Sequence, residues 1–142
     1  MRITLTVLAF LGLLLPACKK DSTISQPAVQ KEVEYQVFPG RDYSVTWMKD
    51  VNVTIKLQIG KVSLNSGAGT VLWDSTFSNL TLGQLSLLPN QISIKKSFPI
   101  MEEKEKLTVS YSLILAEPLR EARGYLEDIE NGVTSVLVRI EL

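Results

Sequence analysis

The side chains of this sequence that could carry chemistry are its carboxylates, one thiol and a few aromatic rings. The acids gather in three groups: Glu102/Glu103/Glu105, Glu117/Glu121 and Glu127/Asp128/Glu130. Two carboxyls can act as acid and base on a glycosidic bond when they face each other across a cleft, roughly 5–9.5 Å apart. Nothing in the spacing prescribes such a facing pair. Lys104 and Lys106 interleave the first group, as in a solvated turn between strands. The third group is the best metal candidate, because Glu127, Asp128 and Glu130 offer hard oxygens close together ahead of Asn131-Gly132, which is the donor type Ca²⁺ takes. The ligand order of an EF-hand is absent, however, and neighbours such as Glu127 and Asp128 point to opposite faces of a strand. The reading is a charged hairpin tip ending in an Asn-Gly turn, with no metal and no cofactor.

Counting removes most other chemistry. The 142 residues contain no histidine and a single cysteine, Cys18, so Ser-His-Asp and Cys-His catalysis, histidine metal sites and intrachain disulfides are all excluded. Fifteen Lys+Arg balance fifteen Asp+Glu, which gives no basic surplus for nucleic acid. No catalytic residue is predicted. The aromatic residues offer the main binding reading, since Tyr35, Phe38, Tyr43, Trp47 and Trp73 could form a platform for sugar rings or for a partner's apolar residues. Most of them share the parity of neighbouring apolar residues and so have a core explanation. Phe38 is off parity. Trp47, Trp73 and Phe38 are the candidate ligand-binding residues.

The elements that must position these groups follow an N-terminal address. After Arg2, residues 3–15 form an apolar run of about 13 residues, the length of a signal-peptide core and short of the roughly 20 that span a bilayer. The run closes on Leu15-Pro16-Ala17-Cys18, which resembles the lipobox of bacterial lipoproteins. That resemblance implies cleavage ahead of Cys18, a diacylglycerol on its thiol, acylation of the new amino terminus and a permanent lipid attachment to a membrane. Lys19 in place of Asp after the cysteine lacks the inner-membrane retention signal, so the outer membrane is expected. The Cys18-Lys19-Lys20-Asp21 start also resembles envelope lipoproteins of the Bacteroidota. Periplasmic and surface faces both stay open. Asp21-Ser22-Thr23 and Asp74-Ser75-Thr76 resemble the O-glycosylation sequon of that phylum.

Residues 18–31 are polar and without period, which predicts a flexible tether, with a single domain over 32–142. Within it, Val51, Val53, Ile55, Leu57 and Ile59 alternate with polar residues, as do residues 107–115 and 136–142. Weaker strand candidates are 33–38, 43–47, 61–64, 70–73 and 91–98. Short turn signals between them, such as Pro39-Gly40, Asn131-Gly132 and the Gly67/Gly69 segment, suit antiparallel hairpins. The expected fold is an all-β, antiparallel immunoglobulin-like sandwich of about seven or eight strands, though a barrel would give the same local pattern. A short helix is expected near 118–123, with Pro118 in its first turn and Gly124 at its end. The leucine-rich stretch of Leu80, Leu82, Leu85, Leu87 and Leu88 reads as a core-covering loop or an exposed apolar edge.

The function these features imply is a lipid-anchored binding or assembly module of the cell envelope, without catalytic activity, meeting an envelope protein partner. A carbohydrate-binding lipoprotein using exposed aromatics is the alternative, and a carboxylate-dependent enzyme ranks behind both.

Overall fold

Period-2 alternation builds seven strands in the computed structural model, which describes residues 26–87 and 91–142. They are β1 (Val29–Phe38), β2 (Asn52–Ser63), β3 (Gly69–Thr81), β4 (Ile92–Ile100), β5 (Glu105–Leu115), β6 (Glu121–Ile129) and β7 (Ser135–Glu141). A one-turn helix, α1 (Leu82–Leu85), follows β3 directly. The strands form two sheets, β4-β1-β7 and β3-β2-β5-β6. This is a β-sandwich, and the open order of both sheets excludes the barrel.

Side chains one residue apart face opposite ways, so the alternating residues of each strand supply the core between the sheets. Val33, Tyr35 and Val37 of β1 lie over Val53, Ile55, Leu57 and Ile59 of β2 and Leu107, Val109 and Leu113 of β5, all buried. Val138 and Ile140 of β7 and Ile100 of β4 complete the layer. Tyr35 reaches across it: its hydroxyl donates to the Gln58 carbonyl at 2.7 Å and lies 3.0 Å from that of Ser110. Burial pushes the Tyr35 phenol up to about 12 despite those two backbone contacts, so it stays protonated.

Several expectations are corrected here. The pair β1·β7 is parallel, with Glu32 opposite Ser135 and Val37 opposite Ile140. First and last strands thus share a sheet, while the other four strand pairs are antiparallel. Strand β1 begins at Val29, ahead of Glu32, because residues 29–31 already pair with Ile100, Pro99 and Phe98 of β4, and Lys31 there faces inward with its side chain only 2% exposed. The Lys31 ammonium meets Glu102 Oε1 at 2.7 Å and donates to the Glu130 carbonyl at 2.7 Å. Gly132 N–H also donates to Glu102 Oε1, at 2.8 Å, so one carboxylate ties β1 to the β4–β5 and β6–β7 turns. Residues 61–63 are the end of β2 and not a separate strand, and β3 runs on through Thr81.

The helix expected at 118–123 is absent. Leu119 and Arg120 N–H groups both point to the Ala116 carbonyl, a single turn, after which β6 pairs with β5 from Glu121 onward. A continuous ladder over nine residues outweighs the local Pro and Gly signals. Residues 43–47 form no strand either. Thr46, Lys49 and Val51 N–H groups donate to Tyr43, Thr46 and Met48 carbonyls, so this segment is a run of turns.

The result is a two-ended body. The starts of β1, β5 and β7 and the ends of β2, β4 and β6 lie at one pole, where the chain enters. The connection 39–51, α1, the 116–120 turn and Leu142 lie at the other.

Candidate functional site

The pole away from the chain entry is capped by residues 39–51 docked against α1. Three buried side chains hold this lobe down: Tyr43, Met48 and Val51. The Tyr43 hydroxyl donates to the Leu142 carbonyl at 2.8 Å, and its backbone N–H donates to Ser86 Oγ at 2.9 Å. Leu82 and Gly83 N–H groups donate back to the Val51 and Lys49 carbonyls, at 3.1 and 2.9 Å. Arg41 lies over the Tyr43 ring, 4.9 Å from its centroid. Ser44 N–H donates to Asp42 Oδ1 at 2.8 Å, and hydrogen bonding from Ser44 holds the Asp42 carboxyl below its usual range.

Helix α1 is fixed with equal care. Thr81 and Gln84 form a capping box, in which each side chain accepts from the other's backbone N–H. Leu82 and Leu85 are buried. The leucine-rich stretch therefore splits: two leucines fill the core, Leu87 is 53% exposed, and Leu88 lies outside the described residues.

Between the lobe and α1 runs an open groove of about 360 Å³, lined by Ser44, Lys49, Asp50, Thr81, Gly83, Gln84 and Leu87. On the same lobe Val45 is 85% and Trp47 70% exposed. An exposed tryptophan and valine on a backbone fixed by buried anchors have no packing role. Trp47, with exposed Val45 beside it, has the setting of the rigid aromatic anchors with which proteins hold other molecules.

The three aromatic candidates separate. Trp47 is exposed, against the expectation that parity with Val45 would bury both. Its parity means nothing where there is no strand. Trp73 faces inward from β3, half-buried, with its ring 6.3 Å from that of Tyr35 and the Lys96 ammonium 5.5 Å above it. It closes the core along the β3 side. Phe38 is half-buried on the outer face of β1 near Gln36 and Ile92, apart from the lobe groove. Sequence reasoning passed over Val45 as a binding residue, while Leu87 entered only through the exposed-edge reading of the leucine-rich stretch; charged Lys49-Asp50 after the 43–47 candidate marks where the chain turns.

The acidic groups disperse. Glu127 accepts from the Tyr125 hydroxyl on one face of β6, while Asp128 meets Lys106 at 3.5 Å on the other. Glu130 lies in the following turn, and among the described residues no three potential ligands converge. Glu117 pairs with Arg120 and Glu121 with Arg123, the latter at 2.6 Å. Glu117 and Glu127 sit near opposite ends of β6, about 20 Å or more apart at the usual rise per residue. Ser75 of the second sequon lies opposite Leu57 on the inward side of a paired strand, a poor acceptor for a sugar. Cys18, the cleavage site and the first sequon fall outside the described residues.

No protein-family model matches the chain, and no curated protein or solved structure is significantly similar to it.

Proposed function

We propose that the protein is a lipid-anchored binding or assembly module of the cell envelope that performs no catalysis and holds an envelope partner at its distal lobe. One observation carries this reading. The chain enters the sandwich at one pole, while Val45, Trp47 and Leu87 are exposed at the other, about 30 Å away along strands of ten or so residues. With Cys18 acylated, residues 19–28 would tether the first pole to the outer membrane, and the groove would face away from the lipid. A site held there meets proteins or polymers of the envelope before it meets headgroups.

The test is chemical crosslinking of the tagged full chain in its native membrane, comparing it with Trp47→Ala. One stoichiometric partner, lost in the variant, is the expected result. Recovery of the monomer alone, or an adduct indifferent to Trp47→Ala, contradicts the reading. Membrane retention is tested separately by Cys18→Ser, which should release the protein from the membrane fraction.

The exposed Trp47 also favours a second reading, in which its ring stacks on a sugar of a cell-wall or host glycan. Tryptophan fluorescence then shifts on adding the glycan to the full chain, and the shift is lost in Trp47→Phe while Trp73 remains.

A further inference from the structure

The four outer edges of the two sheets are β3, β6, β4 and β7, and three of them are guarded. β3 carries two register shifts against β2 and a left-handed residue at Asn79, φ 64°. β4 contains Pro99 and the adjacent Lys95 and Lys96, and β7 is only seven residues long. Bulges, prolines, lysines and short length are the usual means by which sheets prevent edge pairing. β6 has no bulge, proline or lysine and is not short, and its inward-facing charges, Arg123 and Glu127, are of opposite sign, so they can pair across a seam. It runs nine residues in unbroken register with β5 and exposes Leu126 to 74%.

We propose that β6 is the pairing edge for a second copy of this chain, joined antiparallel about a two-fold axis through Tyr125. The sequence of β6 is complementary to itself in that register. Arg123 then faces Glu127 of the second copy, and the same pair forms again across the axis. Glu121 faces Ile129, Ala122 faces Asp128, and exposed Leu126 lies over Gly124, which has no side chain to obstruct it. Tyr125, already stacked on Tyr111 at 5.5 Å between ring centres, meets its own symmetry mate, so the rings form a row across the seam.

Neighbouring registers fit worse. Centring the axis on Gly124 sets Glu121 against Glu127, like charges directly opposed, and centring it on Leu126 leaves Arg123 opposite Ile129. Two four-stranded sheets would become one continuous sheet of eight strands. A single strand-to-strand seam is small for a protein interface, so the dimer is concentration-dependent rather than permanent. Confinement to a membrane surface would favour it.

The experiment is oxidative crosslinking of the full chain in its native membrane, with the unsubstituted chain, which contains only Cys18, as baseline. In the proposed register the α-carbons of the two residues at position 125 are about 4.5–5.5 Å apart, within disulfide reach, and those at position 121 roughly 27 Å apart. Tyr125→Cys should therefore give at least five times the dimer seen with Glu121→Cys. Adding Arg123→Glu to Tyr125→Cys should suppress that dimer about fivefold, and further adding Glu127→Arg on the same chain should restore it. Equal crosslinking at both positions, no dimer above baseline, an adduct with a different protein, or suppression that the second reversal fails to restore overturns the proposal. These results do not depend on Trp47, so they stand or fall apart from the distal site.

Discussion

Lys31 places an ammonium where an inward-facing strand position would ordinarily hold a valine. Its tetramethylene stem is buried, and its head is satisfied by the Glu102 carboxylate and the Glu130 carbonyl. Lys31→Met keeps the buried stem but leaves the Glu130 carbonyl unmet and Glu102 with only the Gly132 N–H, so it is expected to cost about 1 kcal/mol in urea unfolding. Hydrogen bonding from Lys31 and from Gly132 N–H holds the Glu102 carboxyl below its usual 4.5. A carboxyl depressed in the folded state contributes stability above its unfolded value and loses it as pH falls through the folded one. Thermal unfolding of the wild type should therefore decline between pH 6 and about pH 3, and Glu102→Gln should start lower at pH 6 and decline less. An equal decline in both would remove Glu102 from this account. Tyr35→Phe strips the hydroxyl from the centre of the core while keeping the ring, and its expected cost is about 1 kcal/mol, read by the same unfolding measurement.

At the scale of elements, the lobe and α1 hold each other in place through backbone contacts that leave no room for a side chain. A Cβ on Gly83 would sit 2.9 Å from the Lys49 carbonyl oxygen and 3.1 Å from Lys49 Cβ. Gly83→Val is expected to force α1 away from the lobe and destabilise the protein by about 1–3 kcal/mol. Amide exchange should rise in residues 43–51 and 82–87 while the strands stay protected; uniform exchange throughout would show the lobe to be part of the sandwich's own cooperative unit. These elements also show what a sequence can and cannot disclose. The alternation in 51–59, 107–115 and 136–142 found β2, β5 and β7 directly, because one side of each strand is core and the other water. The lobe was hidden because Tyr43, Val45 and Trp47 mimic that alternation for five residues, and only docking to Ser86 and Leu142 decides that one is buried and two are exposed. β6, whose residues 125–129 read either as a continued helix or as the beginning of a strand, was obscured for the opposite reason. It overhangs the smaller sheet, so Arg123, Tyr125 and Glu127 face inward yet stay exposed, and no apolar period forms.

For the whole molecule, topology separates two poles. The parallel pairing of β1 with β7 sets the start of β1 beside the start of the last strand, at the pole opposite the lobe. The other end presents the exposed Trp47 on a lobe fixed by Tyr43, Met48 and Val51, so a partner would meet a surface already in its binding shape and lose little by ordering it. Trp47→Ala is expected to leave unfolding stability within about 0.5 kcal/mol, as at other exposed positions, while weakening partner binding roughly 30-fold, the loss typical of a buried interface tryptophan. The most direct measurement uses a photoreactive amino acid installed in living cells either at position 47, on the distal lobe, or at Ser66, in the turn at the entry pole. Illumination should give one adduct of discrete mass from position 47 and none of that mass from position 66. The same adduct from both positions, or none from position 47, would contradict a distal binding site.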